Sequence, residues 1–138
     1  MEPVVEASGR VLEYASAACG ADGGVLARLR DAAVAGVAVL PDLAVTRGRL
    51  RLIAEHPELA SRSYESLAPQ RERTRAYLVS AGVREDVAGY LCAALIGATF
   101  EAWMQWAAGA DPDPVPYLVA AVGVLRVPEA PPHHGTPA

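Results

Sequence analysis

Apolar residues recur every three or four positions along the chain, and no segment alternates with the period of two expected of a half-buried strand. The pattern predicts an all-α protein: an antiparallel bundle of about six helices over residues 1–126, followed by a disordered Pro-rich tail, 127–138. Val4, Val5, Val11, Leu12, Ala15 and Ala18 form a first stripe that ends near Gly20. After ADGG, where Asp22 is placed to accept from free helix amides, Leu26, Leu29, Ala33, Val37 and Leu40 share one face and Pro41 stops the helix. A third helix opens at Asp42, turns Leu43, Leu50, Leu52 and Ile53 broadly inward, and runs to His56. Pro57 disfavours a helical residue before it but suits the first turn of a new helix, so AEHPEL reads as a corner between helices.

From Pro57 towards Ala81 the residues Ala60, Tyr64, Leu67, Arg71, Thr74 and Leu78 line one side, with Gly82 as the stop. Pro69 lies inside this run. An interior proline costs about 3 kcal/mol or more, so the segment is expected to kink or split near Leu67 and Ala68. The next helix, Arg84 to Gly109, is almost entirely apolar or small from Val87 to Phe100 and is expected to be covered on every side. Asp113 can cap a last helix that starts at Pro114 and carries Leu118, Ala121, Val122 and Leu125.

Composition narrows the class. The net charge is −4, and all 12 basic residues are Arg, which argues against a nucleic-acid surface. The cluster Arg47, Arg49, Arg51, Arg62, Arg71, Arg73 and Arg75 mixes with Glu and reads as a solvated helical face. There is no secretory pattern at the start and no uninterrupted apolar run of the ~20 residues that a spanning helix needs, so the expectation is a cytoplasmic protein without a membrane partner. Cys19 and Cys92 lack a CxxC or a neighbouring His and are expected to be buried, reduced thiols.

No catalytic motif is present: the chain lacks a Gly-rich phosphate loop, GxSxG, HExxH and a Cys/His cluster. His56 reads as a corner residue, and His133 and His134 fall in the tail. The expectation is therefore a protein that is not an enzyme and that holds no metal and no cofactor. TFEAWMQWAAG, Thr99 to Gly109, concentrates the only Phe and both Trp residues. Phe100, Trp103 and Trp106 are either plain core or the wall of an apolar ligand cavity. Tyr64, Arg71, Thr99, Glu101 and Gln105 are the candidate polar anchors. Ala93, Ala94, Gly97 and Ala98 would let another helix approach closely and, with Leu118, Val122 and Leu125, suggest a self-complementary homodimer interface.

RLRLIAEHPEL (Arg49 to Leu59), the long Arg- and Glu-rich helix after it, VREDVAGYLCAALIGATFEAWMQWAAG, and a DPDP break before a short closing helix together resemble the C-terminal domain of TetR-family repressors. The likeness is to the actinobacterial subgroup related to the mycofactocin regulator, whose effector domains are often associated with acyl-CoA-like ligands. It covers roughly Gly24 to Arg126. The resemblance implies a homodimer joined by the last two helices, matching Leu91 to Ala98 and Leu118 to Leu125, and a small apolar ligand held against the helix of Tyr64, Leu67 and Arg71. The expected ligand set is Tyr64, Leu67, Arg71, Thr99, Phe100 and Trp103; the expected interface is Leu91, Ala94, Gly97, Ala98, Leu118, Val122 and Leu125.

Two departures accompany the likeness. Family members open with a helix-turn-helix headpiece, whereas nothing in residues 1–40 supplies a recognition helix, so this chain is not expected to bind an operator by itself. It would be either a shortened gene product or a fragment of a longer repressor. Pro69 is the second departure. The competing reading is a stand-alone helical binding or scaffold protein with no regulatory output.

Overall fold

A computed structural model describes residues 24–128, and every regular element in that span is an α-helix. In chain order these are α1 (Val25–Ala38), α2 (Leu43–Glu55), α3 (Pro57–Glu65), α4 (Ala68–Ser80), α5 (Glu85–Ala108) and α6 (Val115–Gly123). The stripe expected between Val4 and Ala18, the cap assigned to Asp22, Cys19, and the tail from 129 onward with His133 and His134 lie outside the described residues. Gly24 stands at the N-cap of α1.

Each boundary has a local cause. The Asp42 carboxylate accepts from the amides of Ala44 (2.9 Å) and Val45 (3.4 Å), two donors that the first turn of α2 leaves unpaired. His56 is extended, as a residue before proline should be, and its carbonyl accepts from Leu59 and Ala60 to start α3. The expected strain at Pro69 resolves as a full break at Ser66 and Leu67, which leaves Pro69 in the first turn of α4, where a missing amide hydrogen costs little.

At the end of α4, Gly82 takes φ +96°. Its amide donates to Val79 and the Val83 amide donates to Leu78, the paired pattern that closes a helix through a left-handed residue. Leu78 and Val83 are both buried in the same apolar cluster, so the turn is also packed. Before α6, the Asp113 carboxylate accepts from the Val115 amide at 3.0 Å.

The long helix α5 sits at the centre, packed against α2, α4 and α6, while α1 lies against α6 and α2 against α3. Two apolar clusters share it. The larger joins Leu29, Leu67, Leu78, Leu91, Leu95, Ile96 and Val122; the smaller joins Leu50, Ile53, Trp106 and Ala107. Phe100 packs against both. By length and apolar content α5 is enough to cross a membrane, a property that uninterrupted apolar runs do not reveal. In the bundle one side of it supplies both cores.

One expectation about facing does not hold: Leu52 is 51% exposed because Leu50 and Ile53 occupy the inward positions of α2. Within the single chain α5 is not covered on every side: Tyr90 is 75% exposed, and Ala93, Ala94 and Gly97 are exposed with it.

Part of the arginine cluster also has a structural task. The last turn of α5 carries no basic residue of its own, so its terminal carbonyls need partners from elsewhere. Arg51 of α2 donates from Nε to the Ala107 carbonyl (2.7 Å) and from Nη2 to that of Gly109 (3.0 Å). One turn earlier, Arg47 donates from Nη2 to the carbonyls of Trp106 (3.3 Å) and Asp111, and its guanidinium lies 4.1 Å from the centre of the Trp106 ring. Trp103 meets the same indole edge-on at 5.6 Å. Cations at a helix C-terminus and over an indole face are both stabilising.

Replacing Arg47 by Met keeps bulk but removes these bonds, and should lower the unfolding free energy by about 2 kcal/mol in urea titration. The same change at Arg30, an exposed residue paired only with its neighbour Asp31, should stay within about 0.5 kcal/mol. Gly82→Ala, with open space around the added methyl, should lose about 1 kcal/mol from the left-handed backbone alone.

Candidate functional site

An apolar cavity of about 50 Å³ lies between α1, α4, α5 and α6. The small residues Ala32, Ala33 and Gly36 of α1 form one wall beside Leu29. Opposite them stand Leu95, Ile96, Thr99 and Trp103 of α5, with Leu118 of α6 and Gln70 of α4. Among the described residues no charged side chain lines it. The Thr99 hydroxyl donates to the Leu95 carbonyl at 2.8 Å, so it turns a spare lone pair, not a proton, to its surroundings.

Gln70 is the unusual member. It is 8% exposed, and its Oε1 has no hydrogen-bond partner. One turn further along the same face, Thr74 is 3% exposed and its Oγ1 is likewise without a partner. A buried polar group left unpaired costs about 1–3 kcal/mol. Of the two, Gln70 lines the cavity and Thr74 does not.

The cavity gathers only part of the expected ligand set. Thr99 and Trp103 line it. Leu67 and Phe100 do not; they belong to the apolar core. Tyr64 and Arg71 do not line it: they flank the inward stripe, which runs Ser63, Leu67, Gln70, Thr74 and Leu78 in helical spacing across the break. Tyr64 is 40% exposed, and Arg71 spans the break from outside, its guanidinium 5.0 Å from the Tyr64 ring centre and its Nη1 donating to the Tyr64 carbonyl at 3.1 Å. Glu101 and Gln105 also face outward and bond to each other.

Gln70 could have been found from the sequence. It sits three residues after Leu67, four before Thr74 and eight before Leu78, all buried, and this is the inner stripe of a helix that restarts at Ala68.

A second feature is the outer face of α5 and α6. An open groove of about 310 Å³ runs between them, bordered by Ala98, Glu101, Gln105, Tyr117, Ala120 and Val124. Of the expected interface residues, Ala94 and Gly97 are exposed and Ala98 borders the groove. Leu91, Leu118 and Val122 are buried in the core of this chain, and Leu125 packs against it half-buried. They are corrected as contact residues: α6 turns Val119 and Val124 outward instead, 39% and 74% exposed.

Cys92 is buried beneath Arg71, donating from Sγ to its carbonyl at 3.1 Å. Burial pushes its thiol above the ordinary range, outweighing the nearby Arg71 charge. A raised value means that the folded state keeps a proton that the unfolded state loses first. The associated stability is therefore full below the ordinary thiol range and is lost as pH rises towards the raised value. Iodoacetamide at pH 8 should alkylate Cys92 at least about tenfold more slowly in the folded chain than in urea, read by peptide mass spectrometry.

No protein-family model, curated protein or solved structure matches this chain.

Proposed function

We propose that this chain is the ligand-sensing and dimerisation domain of a TetR-like transcriptional regulator of the cytoplasm, with a C-terminal-domain-like helical fold. The observation that carries the reading is the cavity between α1 and the α5–α6 pair, walled by Thr99 and Trp103 and holding the unpaired amide of Gln70. Mostly apolar enclosures with a few convergent polar groups are the usual form of small-molecule sites.

The outer face supports the other half of the reading. Tyr90, Ala94, Gly97, Val119 and Val124 give α5 and α6 a largely apolar, small-residue surface, and small residues let a second copy of the same helices approach closely. A self-complementary pairing across a two-fold axis would cover Ala94, Gly97 and Ala98 on both copies. The cavity lies between α1 and this face, so an occupant would change how α1 sits on the paired helices. A ligand with different affinity for two such arrangements shifts the balance between them.

Native mass spectrometry tests both halves together. The expected result is a dimer that retains a small molecule. Gly97 has open space around its Cα, so Gly97→Glu should fold as the native chain does, yet run as a monomer because it places a charge in the contact. A native chain that stays monomeric at tens of micromolar with nothing bound would sink the reading.

A further inference from the structure

We infer that the cavity selects a small neutral molecule with a hydroxyl or amide N–H, recognised by the Gln70 side chain; this rests on reading the cavity as a ligand site. Three observations carry it. First, no charged residue among those described lines the space, so a carboxylate or ammonium group would lose its water with no counter-charge from them to replace it. That excludes an acid or an anionic headgroup from the enclosed part of the site.

Second, two of the polar atoms present, Gln70 Oε1 and the Thr99 oxygen, call for a donor. Gln70 Oε1 is an acceptor without a partner, and Thr99 has already committed its proton to the Leu95 carbonyl, leaving an acceptor. An alcohol or a primary amide satisfies such a wall, whereas a hydrocarbon leaves the Gln70 amide as it stands.

Third, size limits the choice. A water needs roughly 10–15 Å³ of such space, and an engineered cavity of about 150 Å³ holds benzene. At about 50 Å³ the site fits a molecule of only a few heavy atoms, on the scale of a short primary alcohol. Leu95, Ile96 and Leu118 then enclose its alkyl end.

The test is a methyl NMR titration of the full chain with 1-propanol, with sodium propionate and xenon in parallel, on the native protein and on Gln70→Leu. Expected are saturable shifts at the Leu29, Leu95, Ile96 and Leu118 methyls with 1-propanol, about tenfold weaker binding in the variant, and no saturable shift with propionate. The variant should also melt at a higher temperature than the native chain, since it replaces an unpaired amide by an apolar group of similar length. Equal affinity of the two proteins for 1-propanol would overturn recognition by Gln70. Saturable propionate binding would overturn neutrality. Entry of xenon without 1-propanol, the space otherwise holding water alone, would overturn the ligand class while leaving a cavity. If neither probe moves those methyls, the cavity is not a ligand site, and the functional reading beneath this one falls instead.

Discussion

The C-terminal end of α5 depends on two arginines that belong to another helix. A 24-residue helix ends on carbonyls that its own ladder leaves without partners, and α5 supplies no cation to its own final turn. Arg47 and Arg51 stand one turn apart on α2, so a single helix face delivers both guanidinium groups to Trp106, Ala107, Gly109 and Asp111. The same face buries Leu50 and Ile53 against Trp106, which is fully enclosed. Charge and apolar packing therefore fix one register. Sliding α2 by a turn along α5 would lose the carbonyl contacts and the indole contact together. This register is also what the RLRLIAEHPEL motif encodes: Arg51 for the carbonyls, Leu50 and Ile53 for the core, and His56–Pro57 for the corner that sends α3 away.

With α5 held at one end, its other end is packed against the segment that breaks at Leu67. The break does not change which face of that segment is inward: Ser63 before it and Gln70, Thr74 and Leu78 after it are buried with Leu67 at spacings of three and four. Tyr64 and Arg71 flank this stripe, and the Arg71 guanidinium stacks on Tyr64 from outside. Gln70 is the polar member of the stripe that reaches the cavity.

This separates what was legible in the sequence from what was not. Caps and stops are local chemistry, so Asp42, the His56–Pro57 corner, Gly82, Asp113 and the split before Pro69 were readable one residue at a time. Facing is not local. On α5 nearly every residue from Val87 to Phe100 is apolar or small, so periodicity assigns no inward side and cannot tell that Leu91 is core while Ala94 is surface. On α6 the same ambiguity hid the outward turn of Val119 and Val124. The ligand set suffered from a related cause: Leu67, Thr74 and Leu78 are inward as their spacing implies, but Tyr64 and Arg71 flank that stripe and its remaining polar member, Gln70, was passed over.

The two features that support a sensing role share structural members. In α6, Leu118 closes the cavity while its neighbours Tyr117, Ala120 and Val124 border the outer groove; in α5, Thr99 and Trp103 face the cavity while Ala98, Glu101 and Gln105 border the groove. A nine-residue helix cannot shift one face without shifting the other. Under the proposed reading, whatever fills the cavity acts on the pairing surface through Leu118, and whatever covers that surface acts back on the cavity. Linkage requires the two effects to be equal in free energy. Leu118 is fully buried where it closes the cavity, and packed interiors of this kind respond to a displaced side chain by switching between arrangements instead of deforming smoothly.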